Sequence, residues 1–205
     1  MEEKISYHKK SREVNASQVK EKVKEPYVMR VYLAGPDVFF PDALEIGEAK
    51  KRICAQYGFE AVYPLDAHFD VLFNLNSPID MGHATFDIMV ELMDSCDLVI
   101  ANLTPFRGPS TDIGTAVEIG YMYGCGKPVF GYTNLVKDYA ERVEPDGFFV
   151  ESFGLFDNLM VEGPVYRSGT VVVRVDVPPD RIYTSLEGFT GCVRQAAEVL
   201  LSNQT

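Results

Sequence analysis

The chain predicts a doubly wound α/β fold: a five-stranded parallel sheet with helices on both faces. Three observations carry that expectation. Short apolar runs recur in YVMRVYLAG (27–35), FEAVY (59–63), DLVIANL (97–103) and VFGYT (129–133). Runs of this length without polar alternation read as strands buried on both faces. Between them lie segments whose apolar residues recur with helical period. Residues 97–134 alone spell strand, loop, helix and strand, one complete βαβ crossover.

Size and composition bound the rest. At 205 residues one domain over 27–205 is expected, preceded by a mobile charged arm over 1–26, rich in Lys and Glu and nearly free of aromatics. Apolar residues at 46% and charged residues at 24% are ordinary for a soluble globular protein. A net charge of −11 argues against a nucleic-acid partner. No run has the length of a membrane span and the N-terminus has no apolar signal core, so a cytoplasmic protein is expected. Four scattered cysteines form no C-x-x-C and read as free thiols of a reducing compartment. The three histidines lack metal-ligand spacing, so no metal is expected.

In chain order, the first strand ends at Gly35-Pro36-Asp37, where small residues let a ligand approach the backbone. This is not G-x-G-x-x-G, so no dinucleotide site is indicated. Phe39 and Phe40 either wall a pocket or simply pack. Residues 41–57 form a helix that opens on Pro41 and ends at Gly58, with Leu44, Ile46, Ala49, Ile53 and Tyr57 near helical spacing. After the second strand, residues 65–80 make a loop long enough to suggest function. Residues 81–96 are a helix whose Phe86, Met89, Val90 and Met93 share a face, most simply a core stripe.

The central crossover holds the chemistry. Its loop, TPFRGPST, is broken by Pro105, Gly108 and Pro109, and Asp112-Ile-Gly-Thr-Ala-Val-Glu118 leads into a helix closed by Gly124 and Gly126. By spacing alone, Thr115-Ala-Val-Glu118 is a capping box. Asp112, however, is itself a good N-cap, and Gly114 allows close approach of a ligand. In open α/β sheets ligands lie beyond the carboxyl ends of the strands, where Asp112 and Glu118 both fall. Arg107 with Ser110 and Thr111 is a candidate phosphate cradle beside a helix N-terminus, or Arg107 merely supports the loop. Farther on, residues 135–143 read as a short helix and 146–165 as an apolar, turn-rich segment. Residues 166–176 read as a hairpin around Ser168-Gly169, and Thr184-Ser-Leu-Glu187 as a capping box before a last helix carrying Leu186, Phe189, Val193 and Leu200. The assembled architecture is flavodoxin-like, with a C-terminal hairpin and helix.

DIGTAVEIGYMYGCGKPV resembles the signature D-x-G-T-x-x-E-x-G-x-A of the nucleoside 2-deoxyribosyltransferase family, and the likeness extends over roughly residues 29–165. The resemblance implies cleavage of the N-glycosidic bond of a 2′-deoxyribonucleoside and transfer of the sugar to another purine or pyrimidine base. It implies Glu118 as nucleophile, Tyr32 as the tyrosine that contacts it, and Asp112 as proton donor or sugar ligand. It places Gly35, Asp37, Phe39, Asp66, Met89 and Gly114 around the substrate. Pro64-Leu65-Asp66 matches a base-recognition segment, and His68 falls where some relatives have Gln. FGLFDNLM resembles a segment whose Asn, here Asn158, enters the site of the neighbouring subunit, so a homo-oligomer of at least two chains is implied. Many relatives carry Asp or Asn eight residues before the Asp that opens the third strand; here that position is Met89, and the nearby acid is Asp87. The partners implied are a deoxynucleoside and a free base. Two other readings stay open: an N-glycosidase acting on nucleosides or their 5′-monophosphates, with water replacing the second base, and a non-catalytic nucleotide-sensing module.

Overall fold

A computed structural model describes residues 27–67, 75 and 77–201. The 1–26 segment and His68 lie outside the described residues. Five strands, β1 (Arg30–Ala34), β2 (Glu60–Val62), β3 (Leu98–Asn102), β4 (Val129–Thr133) and β5 (Val173–Arg174), form one sheet in the order β2-β1-β3-β4-β5. Every pairing is parallel, with Tyr32 opposite Val62 on one side and Val99 on the other. The order reverses between β1 and β3, the switch point where a crevice opens in such sheets.

Five helices connect the strands: α1 (Ala43–Gln56), α2 (Pro78–Asp94), α3 (Ile113–Gly124), α4 (Leu159–Arg167) and α5 (Glu187–Leu200). Strand side chains alternate between two cores. Val31, Leu33, Leu98, Ile100, Phe130 and Tyr132 join Cys54, Phe59, Phe189 and Val193 beneath α1 and α5. Tyr32, Ala34, Val99, Ala101 and Val129 join Met93, Ile119, Met122, Phe156 and Val165 beneath α2, α3 and α4. Tyr32 therefore faces α2 and α3 because of its parity in β1.

Several local expectations are corrected. Residues 135–143 form no α-helix, only a 3-10 turn at Tyr139–Glu141. Asp138 N donates to Glu141 Oε2 and closes the turn on itself, and Pro145 follows. Residues 166–176 form no hairpin. Ser168 and Gly169 end α4, with Gly169 left-handed at φ 83°, and β5 then runs parallel to β4. Helix α4 was hidden by Gly163 and Pro164. Pro164 is tolerated because the N–H it lacks would have reached the carbonyl of Met160 in the exposed first turn. Thr184 does not cap α5: Leu186 holds the N-cap position, and Ser185 Oγ accepts from Glu187 N at 3.4 Å. Helix α2 starts at Pro78, with Ser77 accepting from Asp80 N. Of the stripe on α2, Met93 is buried while Phe86 is exposed.

Beneath the end of β1 lies a buried ion pair. Lys50 Nζ donates to Asp37 Oδ2 at 2.7 Å, and Asn102 Nδ2 lies 3.2 Å from both Asp37 oxygens. Lys50 also sits over the Tyr132 and Phe189 rings, at 5.5 and 5.1 Å. A Cβ at Gly35 would fall 2.5 Å from Asp37 Oδ2 and 2.7 Å from Asn102 Cβ, so only glycine fits. Removing one member of a buried pair strands the other charge. Lys50→Met is thus expected to cost about 3–5 kcal/mol in urea unfolding. Lys50→Met with Asp37→Leu should recover most of that loss, and equal instability of single and double variants would contradict the pairing.

Candidate active site

Beyond the carboxyl ends of β1 and β2 is a cleft of about 320 Å³, lined by Gly35, Val38, Phe39, Pro64, Leu65, Thr85, Met89, Asp112, Gly114, Thr115 and Glu118. A larger and more open groove of about 690 Å³ lies elsewhere, between α5 and the turn after α4, and contains no carboxylate. The smaller cleft is the candidate site because the acidic groups converge there.

Asp112, not Thr115, is the N-cap of α3: its Oδ2 accepts from Thr115 N at 3.1 Å. Glu118 is therefore free of capping duty. Its Oε1 accepts a 2.6 Å hydrogen bond from the Tyr32 hydroxyl, whose residue is fully buried in β1. The same hydroxyl lies 3.7 Å from Met89 Sδ. Burial pushes the Glu118 carboxyl up to about 7; the Tyr32 hydrogen bond opposes that rise and the Asp112 charge adds to it. Burial, with Glu118 adding to it, pushes the Tyr32 phenol well up, so Tyr32 is a neutral donor. This is a carboxylate held near neutrality, aimed into an apolar-walled cleft and oriented by one hydrogen bond. Such a group can act as a nucleophile or a proton carrier at neutral pH.

The structure brings Gly35, Phe39, Met89, Asp112, Gly114 and Glu118 to one cleft, with Tyr32 directly behind. Asp37 does not face it, being committed to Lys50 and Asn102. Asp66 is tied to Lys51 Nζ at 2.7 Å and to Tyr63 N at 3.0 Å, leaving its neighbours Pro64 and Leu65 on the wall. Asn158 caps α4, accepting from Met160 N and donating to Glu151 Oε2, and is not among the lining residues. Asp87 is exposed on α2. Sequence reasoning missed Val38 and Thr85; Thr85 stands one helical turn before Met89, so its i, i+4 spacing was the available signal. The loop donors are also placed. Asp157 accepts from Ser110 Oγ and, at 2.8 Å, from Thr111 N. Arg107, left-handed at φ 57°, lies over the rings of Phe39 and Phe106. Phe39 and Phe106 stack with centroids 5.7 Å apart. Among the described residues, no group of three His, Cys, Asp or Glu side chains is arranged to hold a metal, and no helix is long and apolar enough to cross a membrane.

A doubly wound parallel sheet with an acidic cleft at its switch point defines a small-molecule-binding α/β protein. Residues 31–160 match the family model described as nucleoside 2-deoxyribosyltransferase, and the chain belongs to that family. An uncharacterized protein of Schizosaccharomyces pombe is 34% identical over 168 residues, 69% of this chain and 79% of that protein. A solved 2-deoxyribosyltransferase from Leishmania mexicana superposes with a TM-score of 0.60 at 26% identity, covering 83% of this chain and 97% of that one.

Two titrations test the electrostatics. The Glu118 carboxyl is held above its ordinary value of 4.5, so the folded state binds its proton more tightly than the unfolded chain. That contribution to stability is complete below about 4.5 and is lost as pH rises through about 7. Glu118→Gln should therefore stabilise the protein by about 1–3 kcal/mol above pH 7 and leave it unchanged near pH 4, read from melting curves. Because the Tyr32 hydrogen bond lowers and the Asp112 charge raises this pKa, Tyr32→Phe should move the carboxyl titration up and Asp112→Asn should move it down. Carboxyl ¹³C NMR reads both; shifts of the same sign would refute the assignment.

Proposed function

We propose that the protein cleaves the N-glycosidic bond of a 2′-deoxyribonucleoside and transfers the deoxyribosyl group to another base through a Glu118 ester. The observation that carries this reading is the Tyr32–Glu118 hydrogen bond at the floor of a nucleoside-sized cleft. The ionised Glu118 oxygen attacks C1′ as the C1′–N bond breaks, and the bonding pair leaves with the base, which takes up a proton. Tyr32 keeps one carboxylate oxygen engaged and so orients the other. Asp112, on the rim, delivers that proton or holds the sugar hydroxyls. The acceptor base attacks C1′ on the same face and gives up its N–H proton to the group that protonated the first base. The ester bond breaks with its electron pair returning to the carboxylate, and Glu118 is regenerated with configuration retained. Phe39 and Met89 offer apolar surface to a base, and Gly35 and Gly114 leave room for the sugar. No cofactor enters these steps.

A phosphate-binding hydrolase is less well supported. Ser110 Oγ and Thr111 N, the candidate phosphate donors, are already taken by the Asp157 carboxylate. A nucleotide sensor would have no use for a carboxylate held near neutrality.

The working unit is an oligomer in which Asn158 completes a neighbour's site. Ile79, Phe86, Ile113 and Val117 are exposed on α2 and α3, and Phe148, Phe149, Phe153 and Met160 on the segment around Asn158. Apolar exposure on this scale marks a contact surface. A carboxamide delivered there would bond sugar or carboxylate without adding charge to an acidic cleft.

Incubation of a deoxynucleoside with a foreign base, followed by chromatography, is expected to show exchange. Release of free sugar would indicate the hydrolase, and no turnover the sensor. Glu118→Ala should lose at least about 10³-fold in rate with its fold intact, because a nucleophile contributes far more than a cap. A 2-fluoro-arabinosyl substrate should leave a sugar adduct on the Glu118 peptide. Mixed and exchanged Asn158→Ala and Glu118→Ala subunits should regain part of the activity, since one site then holds both intact residues. No recovery despite subunit exchange would reject the shared site.

A further inference from the structure

Outside the cleft, Asp157 is a heavily engaged carboxylate whose side chain is completely buried. Its Oδ1 accepts from Ser110 Oγ and, at 2.7 Å, from Asn158 N; its Oδ2 accepts from Thr111 N at 2.8 Å, with Arg142 Nη2 3.8 Å away. Arg142 binds the surrounding loops through their carbonyls: Nε to Pro109 at 2.8 Å, Nη1 to Lys137 at 2.5 Å and Nη2 to Phe156 at 2.6 Å. Its guanidinium also lies 4.2 Å from the Phe156 ring centroid. Glu162 Oε2 takes Phe156 N at 2.6 Å, so the backbone on either side of the Phe156 ring is fixed.

The placement of these bonds is informative. Thr111 immediately precedes Asp112, the N-cap of α3 and a wall of the cleft. Asn158 is the N-cap of α4. One buried carboxylate thus holds the backbone amides at the entrances of two helices, and each entrance presents a polar side chain. Fixing two loops to each other needs only apolar packing; a buried charge with three hydrogen-bond donors costs desolvation and fixes direction as well as distance.

We propose that Asp157 is a positioning residue that locks the Asp112 loop in register with Glu118 and, through the same carboxylate, sets the Asn158 carboxamide, so that the two parts shift together. The Asp112 half stands on geometry within this chain; the role of Asn158 in a neighbour's site rests on the function proposed above. The inference assigns Asp157 no contact with substrate. It acts through Thr111 and Asn158.

The test reads Glu118, which feels Asp112 through its charge and Tyr32 through its hydrogen bond. In Asp157→Asn, an amide nitrogen replaces one oxygen, so an N–H of the side chain opposes either Thr111 N or the Ser110–Asn158 pair. Carboxyl ¹³C NMR of Glu118 needs no turnover, so the result is independent of whether transfer is the activity. Asp157→Asn is expected to lower the Glu118 midpoint by roughly half a pH unit, toward that of Asp112→Asn. Combined with Asp112→Asn it should add no further shift. Should Asp157→Asn fold poorly, Ser110→Ala removes a single tie and should move the midpoint in the same direction by less. In kinetic terms, Asp157→Asn should lose about tenfold in kcat/KM, and in the Asn158→Ala background that loss should shrink but not vanish, because the Asp112 arm is still released. A Glu118 midpoint unchanged in both Asp157→Asn and Ser110→Ala, or shifts that add to that of Asp112→Asn, would reduce Asp157 to a stabilising clasp and overturn the proposal.

Discussion

A single hydrogen bond, 2.6 Å from the Tyr32 hydroxyl to Glu118, joins the central sheet to helix α3 and sets the site. It requires that Tyr32 face the α2 and α3 side, which the two-residue parity of β1 provides; a register slip of one residue would turn the phenol toward α1 and α5. It also requires Glu118 to be released from the helix N-terminus. Asp112 achieves this by taking the cap, leaving a T-x-x-E sequence without its capping box. The site thus depends on which of two residues satisfies the first amides of one helix.

Charge is distributed in a way that separates the cation-paired carboxylates from Glu118. The chain carries 30 acidic against 19 basic residues, so not every acid can have a cation of its own, yet both buried aspartates of the described residues do. Asp37 has Lys50 and Asn102, and Asp157 has three hydrogen-bond donors with the Arg142 guanidinium beside them. Glu118 has Tyr32 and an acidic neighbour, and no cation is among the groups that move its pKa. A carboxylate paired with a cation would be stable and unreactive; one desolvated beside a like charge is poised near neutral pH. Its proton affinity is a destabilisation of the ionised fold, and that is the ordinary physical mark of a site kept for chemistry.

The sheet was legible because four of its strands are apolar runs bounded by Gly, Pro or charge, and a sheet buried on both faces allows few other patterns. The helix after Asn158 was not, because Gly163 and Pro164 look like breakers, and only the fold shows that the N–H Pro164 lacks would have been spent on Met160 in the exposed first turn. The hairpin expected around Ser168-Gly169 was the same error seen from the other side: a turn signal gives the position of a chain reversal but not the element preceding it. In the site, Glu118, Asp112 and Tyr32 were legible by resemblance, and the cleft gathers them. Asp37 was assigned toward the substrate from its position after Gly35. Only the fold reveals that a lysine one helix away claims it, since Lys50 reads in sequence as one more surface cation among Lys51 and Arg52.

Met89 belongs to the same argument. It occupies the position where many relatives are expected to carry Asp or Asn, and its sulfur lies 3.7 Å from the Tyr32 hydroxyl. A carboxylate there would offer Tyr32 a second strong acceptor, competing with Glu118 for the one phenolic proton. It would also place a third negative charge around Glu118, beside Asp112, and raise the carboxyl's affinity for its proton further. A thioether is a weak acceptor and carries no charge. Tyr32 is therefore committed to Glu118. Met89 also keeps its part of the cleft wall apolar, so the polar side chains of the lining are those of Thr85, Asp112, Thr115 and Glu118.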